Sequence, residues 1–481
     1  MTAARNPGSG EIDETQLQQT LADAGQEHLW RHRSSMPAEH QGEFTRQLAE
    51  IDWPLVRRLI ELAQGAGGNA TSNSAAEGQR AQPPLQLICQ PATLPDGVHW
   101  NESRKIGQEL MSSGKVAAVV VAGGQGTRLG SPLPKGMVDI GPVSGHSFFQ
   151  IFVEQVIARS RNAQRPIPYG VMTSDATHEA TEEFFRQQGN FGLPADQLRF
   201  FRQGNMPAVD GVTGKALISE PGRLAMSPDG HRGMLRALVN SGWLDELAQR
   251  GVETLFYHQI DNPTTQVCDP AFLGWHAQRQ AQASTKVVAK RSAEEKMGVA
   301  VSVDGISKII EYSDLPADIA AKTDDQGKLL LWAGSTAIHA FQISFLQQVA
   351  SGEHAFPFHI ARKAVPYLDD AGTIVSPDGP NAFKFEQFIF DLLPLASQAL
   401  FVEADRAAEF NPVKNKEGAD SPATCQAAMQ TLHRRWLREA GANIADDVPV
   451  EIGPLFALDA EEVARRITPP ANFEQPTFLT A

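Results

Sequence analysis

The feature that most constrains this chain is the run Val116-Ala117-Ala118-Val119-Val120-Val121-Ala122, which ends on Gly123-Gly124-Gln125-Gly126-Thr127-Arg128-Leu129-Gly130. A short β-branched apolar run bounded by glycine is expected of a strand buried on both faces. The glycines allow positive φ and let backbone N–H groups approach a phosphate or a base closely. Arg128 suits a forked contact with phosphate oxygens, and Lys135 suits a point-charge contact. A tight structural turn accounts for the glycines equally well. Two familiar fingerprints fit poorly. A dinucleotide-binding turn needs a third glycine where Leu129 stands, and an acid about 20 residues on, where His146-Ser147 supplies none. A Walker loop needs Gly-Lys-Ser/Thr, whereas Lys135 lies between Pro134 and Gly136.

Around this turn the pattern alternates. Helical spacing covers Phe148–Ile157, Thr177–Phe185 and Gly233–Val239, while Tyr169–Thr173, Leu198–Phe201 and Thr254–Ile260 read as strands, the last ending in Asp261. Such alternation predicts an α/β fold with a doubly wound, mainly parallel sheet. Lys286–Val288, Gly298–Val303 and Ser307–Tyr312 read as antiparallel strands joined by an Asp304-Gly305 turn. Residues 15–62 read as helices, and residues 65–84, rich in Gly, Ser, Asn and Pro, as a linker. The expected organisation is therefore a helical region with linker over 1–84, a central α/β domain over 85–405, and a small α+β domain over 406–481 containing a helix at Thr424–Leu437.

The net charge of −14 opposes general binding to nucleic acid or acidic membranes, though a local basic pocket stays allowed. Three widely spaced cysteines form no CxxC, which argues against a disulfide framework or thiolate zinc site and for a reducing compartment. No secretory leader is visible, and Val116–Ala122 is far shorter than the ~20 apolar residues needed to span a bilayer. A cytoplasmic protein is expected. His178-Glu179 has Glu182 where a zincin needs histidine.

The text AGGQGTRLGSPLPKGMVDIG resembles the nucleoside-diphosphate-sugar pyrophosphorylases, specifically the eukaryotic-type UDP-N-acetylglucosamine pyrophosphorylases. Other stretches agree in order, among them MTSDATHEATEEFF (172–185), FFRQGNMPAVD (200–210), IDNP (260–263), FKFEQFIFD (383–391) and EFNPVKN (409–415). The resemblance implies a Rossmann-like nucleotidyltransferase core with small flanking domains. It also implies attack of a sugar 1-phosphate on the α-phosphorus of UTP, with Mg²⁺ as cofactor. No protein nucleophile is needed; the task is to align two polyanions and offset their repulsion.

By the same resemblance, Val121, Ala122, Gly123 and Gly124 would hold the uridine against backbone, with Gln203 and Gly230 at further uridine positions. Arg128 would meet the leaving pyrophosphate, and Lys135 the α-phosphate. Asp261 would be the metal or phosphate-side carboxylate, and Lys384 and Lys414 further phosphate-binding cations. Gly298, Glu311 and Ser335 would contact the sugar, with Phe388 and Phe390 near its N-acetyl group.

Two positions depart from the family pattern, both on the sugar side. His231 stands in PDGHRG where asparagine is usual, and Ser335 where the family reads NAGN. Glucose 1-phosphate or N-acetylgalactosamine 1-phosphate as substrate, or a non-catalytic nucleotide-sugar-binding regulator, are the alternatives.

Overall fold

The computed structural model describes residues 12–65, 72–90, 98–228, 233–352, 358–445 and 447–481. By packing the chain divides into two units. One comprises Met1–Ala76, Gly204–Arg236 and His354–Asp391; the other comprises Glu77–Gln203, Ala237–Glu353 and Leu392–Ala481. This differs from the segments 1–84, 85–405 and 406–481. The N-terminal helices share a core with two later insertions, and the C-terminal module falls in the same unit as the central sheet.

The larger unit holds a ten-stranded mixed sheet. Its strands are β1 (Leu87–Ile88), β2 (Val116–Val121), β3 (Tyr169–Thr173), β4 (Leu198–Arg202), β5 (Thr254–Gln259), β6 (Ala283–Ala289), β7 (Val299–Val303), β8 (Ile306–Ile310), β9 (Ala333–Gln342) and β10 (Ala399–Glu403). The order is β1-β10-β6-β9-β5-β2-β3-β4, with the β7–β8 hairpin attached at β9. The β5-β2-β3-β4 half is parallel, as the alternation predicts. The antiparallel β9 interrupts the order between β5 and β6. Every residue of β2 is buried, because the sheet flanks it on two edges and helices cover its faces. The helix Phe148–Ala163 lies across it, its first turn capped by Ser147. Asp304 and Gly305 both have positive φ, as a tight hairpin turn between right-twisted strands requires.

In the smaller unit, four helices (Glu14–Asp23, Glu27–Ser35, Ala38–Ala49 and Trp53–Gly65) bury Leu21, Leu29, Phe44, Leu48 and Trp53. Their partners are Val209, Leu224, Phe383 and Phe385 from the two insertions. These insertions contribute a three-stranded sheet of Val209–Asp210, His359–Lys363 and Ala382–Glu386.

The reading of 65–84 as linker is corrected in part. Residues 66–71 lie outside the described residues, but Ser72–Gln79 is a helix. Its last turn packs closely: a Cβ on Gly78 would stand 2.6 Å from Pro316, and Glu77 pairs with Lys308 at 2.7 Å. The chain then bridges to β7 through Gln82 and Ser302.

Candidate active site

The glycine turn leaves the carboxyl end of β2, where ligands gather in open α/β sheets. Ala122 N–H continues the ladder onto Met172 (2.8 Å), and Ser174 Oγ donates to the Gly123 carbonyl (2.8 Å). Gln203 is tied to the end of β3 by its N–H on Thr173 (2.8 Å), and its amide covers Gly123; a Cβ there would stand 2.9 Å from Oε1. The site thus brings together Val121, Ala122, Gly123, Gly124 and Gln203. One expectation is corrected. Gly130 adopts positive φ (76°), but Gly123, Gly124 and Gly126 do not. At Gly126 the reason for glycine is instead close approach, to the Leu133 carbonyl 2.7 Å from a would-be Cβ; at Gly123 the neighbour is the end of the flexible Gln203 side chain. At Gly124 the same position faces open space.

The turn doubles back on itself. Gly126 N–H donates to Leu133 (2.9 Å) and Lys135 N–H to the Gly124 carbonyl (3.1 Å). This return brings Lys135 beneath the loop, with its side chain only 13% exposed. Its Nζ donates to the Val413 carbonyl and lies 3.6 Å from Asp261 Oδ2. Burial pushes the Lys135 pKa down. Asp261 opposes that shift, while the charges of Lys414 and Arg128 add to it. Arg128 is exposed on a single 3₁₀ turn, Thr127–Leu129, and forms no ion pair among the described residues.

The segment that carries Lys414 is fixed by β5's terminus. Val413 N–H donates to the Asp261 carbonyl (2.9 Å), and Asn262 bonds both the Glu409 carbonyl (2.6 Å) and the Asn411 N–H (3.0 Å). Lys414 N–H in turn donates to Asp420 (2.7 Å). Arg128, Lys135, Asp261 and Lys414 therefore form one charged cluster at the turn.

Gly298, Glu311 and Ser335 also come together. Ser335 N–H donates to the Gly298 carbonyl (2.8 Å), and Glu311 Oε1 lies 3.3 Å from where a Gly298 Cβ would stand. Lys384, Phe388 and Phe390 belong to the smaller unit. There the two phenyl rings stack at 5.0 Å, and His359 next to them bonds Asp391 at 3.1 Å. Gly230 and His231 lie outside the described residues.

Sequence reasoning missed several supports. Lys416 lies along Gly130, its Cδ 3.3 Å from a would-be Cβ. Fully buried Lys286 on β6 pairs with Asp269 (2.7 Å) and with Glu409, which anchors the start of the segment ending in Val413 and Lys414. Burial works against the Lys286 charge, but the two carboxylates outweigh it and raise its pKa. The EFNPVKN text contains Glu409; nothing in the sequence pairs it with a lysine 123 positions away.

The family model described as UTP–glucose-1-phosphate uridylyltransferase matches residues 75–450. The chain belongs to that family. Among curated relatives, it is 34% identical to the UDP-N-acetylglucosamine pyrophosphorylase of Saccharomyces cerevisiae, over 94% of this chain and 97% of the yeast protein. It is likewise 34% identical to UDP-N-acetylglucosamine diphosphorylase 2 of Arabidopsis thaliana, over 93% and 90% of the two chains. The uridine diphosphate N-acetylglucosamine pyrophosphorylase structure from Trypanosoma brucei superposes with a TM-score of 0.80, at 24% identity over 95% of each chain. A UDP-glucose phosphorylase structure from the same organism gives 0.59 at 18% identity, over 76% of this chain and 75% of that one. Both structural likenesses bear on fold, and the mixed α/β architecture expected from the sequence is the one found.

Proposed function

We propose that this enzyme is a UTP:N-acetyl-α-glucosamine-1-phosphate uridylyltransferase that forms UDP-N-acetylglucosamine and pyrophosphate. The observation that carries this reading is the charged cluster of Arg128, Lys135, Asp261 and Lys414 beside a glycine turn whose Gly124 faces open space. The two substrates are polyanions, and a cationic cluster offsets their repulsion. Relatives that match nearly the whole chain carry the N-acetylglucosamine or N-acetylhexosamine name, which favours an N-acetylated sugar over glucose.

In this reading a phosphate oxygen of the sugar 1-phosphate attacks the α-phosphorus of UTP as the bond to pyrophosphate breaks. Lys135 is the group best held for the α-phosphate, because Val413 and Asp261 fix its ammonium. Arg128, exposed and unpaired among the described residues, is free to follow the leaving pyrophosphate. Gln203 sits over Gly123, where a uracil edge would find its amide.

The residues fit Mg²⁺ in one specific way. Among the described residues no three His, Cys, Asp or Glu side chains gather into a metal cage. Mg²⁺ commonly keeps several waters and binds through one or two carboxylates plus substrate phosphates. Asp261 would be that carboxylate. When bound, the ion neutralises phosphate charge.

No helix among the described residues is long and apolar enough to cross a membrane. All three cysteines are free thiols, in keeping with our placement of the protein in the cytoplasm.

The test is a panel of sugar 1-phosphates with UTP and Mg²⁺, read by pyrophosphate release. N-acetylglucosamine 1-phosphate should be turned over with the highest kcat/KM. Equal or better turnover of glucose 1-phosphate would reject the sugar assignment, and UTP binding without any release would reject the reaction.

A further inference from the structure

Apart from the glycine turn, the larger unit contains a cavity of about 460 Å³ lined by four arginines (Arg104, Arg159, Arg465 and Arg466) and two glutamates. Its other walls are evenly divided between polar Gln108, Ser112 and Asn162 and apolar Met111, Ala163 and Pro270. The arginines are not equivalent. Arg104 is committed to Asp459 (2.5 Å), and Arg465 to Glu461 (2.7 Å). Of the two glutamates, Glu462 accepts from Asn162 (2.7 Å) and from Leu458 N–H (2.8 Å).

Arg159 is different. It is 4% exposed, and its Nε donates to the Val267 carbonyl (3.2 Å). Its two terminal nitrogens have no hydrogen-bond or ion-pair partner among the described residues, and the side chain lines the cavity. The carboxylates that feel its charge, Asp269 and Asp459, are already paired with Lys286 and Arg104. Those terminal nitrogens reach the cavity, so a ligand entering it meets a guanidinium with donors to spare. Lining the same cavity, exposed Arg466 has no carboxylate partner among the described residues; it touches the Leu455 carbonyl (3.4 Å) and the Phe456 ring.

We propose that this cavity is a second anion site, which binds a phosphate dianion between Arg159 and Arg466. Two guanidinium forks match the oxygens of one phosphate group, and such forks are the usual protein partners of phosphate. The volume suits a small ligand, and the polar lining disfavours an apolar one. The dianion is either inorganic phosphate or a phosphate monoester of a small alcohol.

The test is equilibrium binding of inorganic phosphate, and separately of glycerol phosphate, to the full chain and to two variants. Any phosphate held by the glycine turn is common to all three proteins, so the difference between them reports the cavity. Arg466→Glu, at the surface, should weaken binding at least about tenfold, as loss of a charged fork predicts, while pyrophosphate release without added phosphate stays within about twofold. Arg159→Gln should weaken binding similarly; because Arg159 is buried, its folding is checked by circular dichroism, and Arg466→Glu decides alone if it fails. Binding of both probes assigns the phosphate group as the recognised element, and binding of only one assigns its source. Identical phosphate binding in the parent and Arg466→Glu would overturn the proposal. Parallel loss of turnover and binding in Arg466→Glu would overturn the claim that the site is separate.

Discussion

The Nζ of Lys135 lies 3.6 Å from Oδ2 of Asp261 and gives its hydrogen bond to the Val413 carbonyl. A cation from the strand-following turn is thereby held between the end of β5 and a segment about 280 residues further along the chain. The pair is an ion pair rather than a tight hydrogen-bonded bridge, so the ammonium retains capacity for a phosphate oxygen.

Lys135→Ala should lower kcat by about 10²–10³-fold, the usual effect of losing one preorganised charge donor at a transition state. The KM for the sugar 1-phosphate should change far less. Steady-state kinetics by pyrophosphate release decides this, and a near-normal kcat would remove Lys135 from the reaction.

The same lysine sets a pH limit. Burial lowers its pKa, Asp261 opposes that shift, and Lys414 and Arg128 reinforce it. Its charge is therefore lost at a lower pH than for an ordinary lysine, and kcat should decline on the alkaline side correspondingly early. Lys414→Ala removes a repelling charge, so the alkaline limb of its pH–rate profile should move to higher pH. A shift in the opposite direction would contradict the cluster.

Glycines of the turn separate binding from folding. Gly124→Ala meets no atom within 4 Å, so its melting temperature should match the parent's, yet the KM for UTP should rise if nucleotide lies against this backbone. Gly136→Ala places a methyl 2.2 Å from the Phe149 ring and should cost about 1–3 kcal/mol of stability by overpacking. Urea denaturation of the two variants tests the stabilities, and steady-state kinetics with varied UTP tests the KM.

The buried triad holds the 409–414 segment in place. Lys286→Met leaves Asp269 and Glu409 buried without their cation. Breaking such a group from one side costs about 3–5 kcal/mol. Denaturant titration should show that loss, and a stability unchanged within about 0.5 kcal/mol would mean the triad holds nothing.

Acid should destabilise the fold through its buried histidines. Burial lowers His258 to about 3, and His276 and His433 to about 4. Each is neutral when folded and takes up a proton on unfolding once the pH is below its ordinary value, so stability is complete above about 6.5. It should fall as the pH drops from there towards 4, by about 1.4 kcal/mol per pH unit for each such histidine. A melting temperature flat between pH 7 and 4.5 would contradict this.

The local signals were the legible ones. VAAVVVA announced β2 through composition alone, and the Asp304-Gly305 pair announced its hairpin, because only a few residues adopt the required φ. Strands β9 and β10 were missed; a bulge opposite Thr285–Val287 breaks the first strand's alternation, and neither carries a turn signal of its own. The helix at Ser72–Gln79 hid in a stretch of small and polar residues, among them Gly78, which lets the chain approach Pro316. Gly126 is a glycine for close approach rather than for positive φ, since the Leu133 carbonyl would stand 2.7 Å from a Cβ there.

By itself the sequence determined the buried strand, the turn that follows it, the helical and extended periods, and the placing of two cations, Arg128 and Lys135, just after that turn, all properties of neighbouring residues. Only the tertiary structure decided that Lys135 sits between Asp261 and Val413, that Lys286 meets Asp269 and Glu409, and that Arg159 lines a cavity. Those are distances between residues far apart in the chain, and burial and charge pairing depend on where the folded backbone brings them rather than on what stands beside them in the sequence.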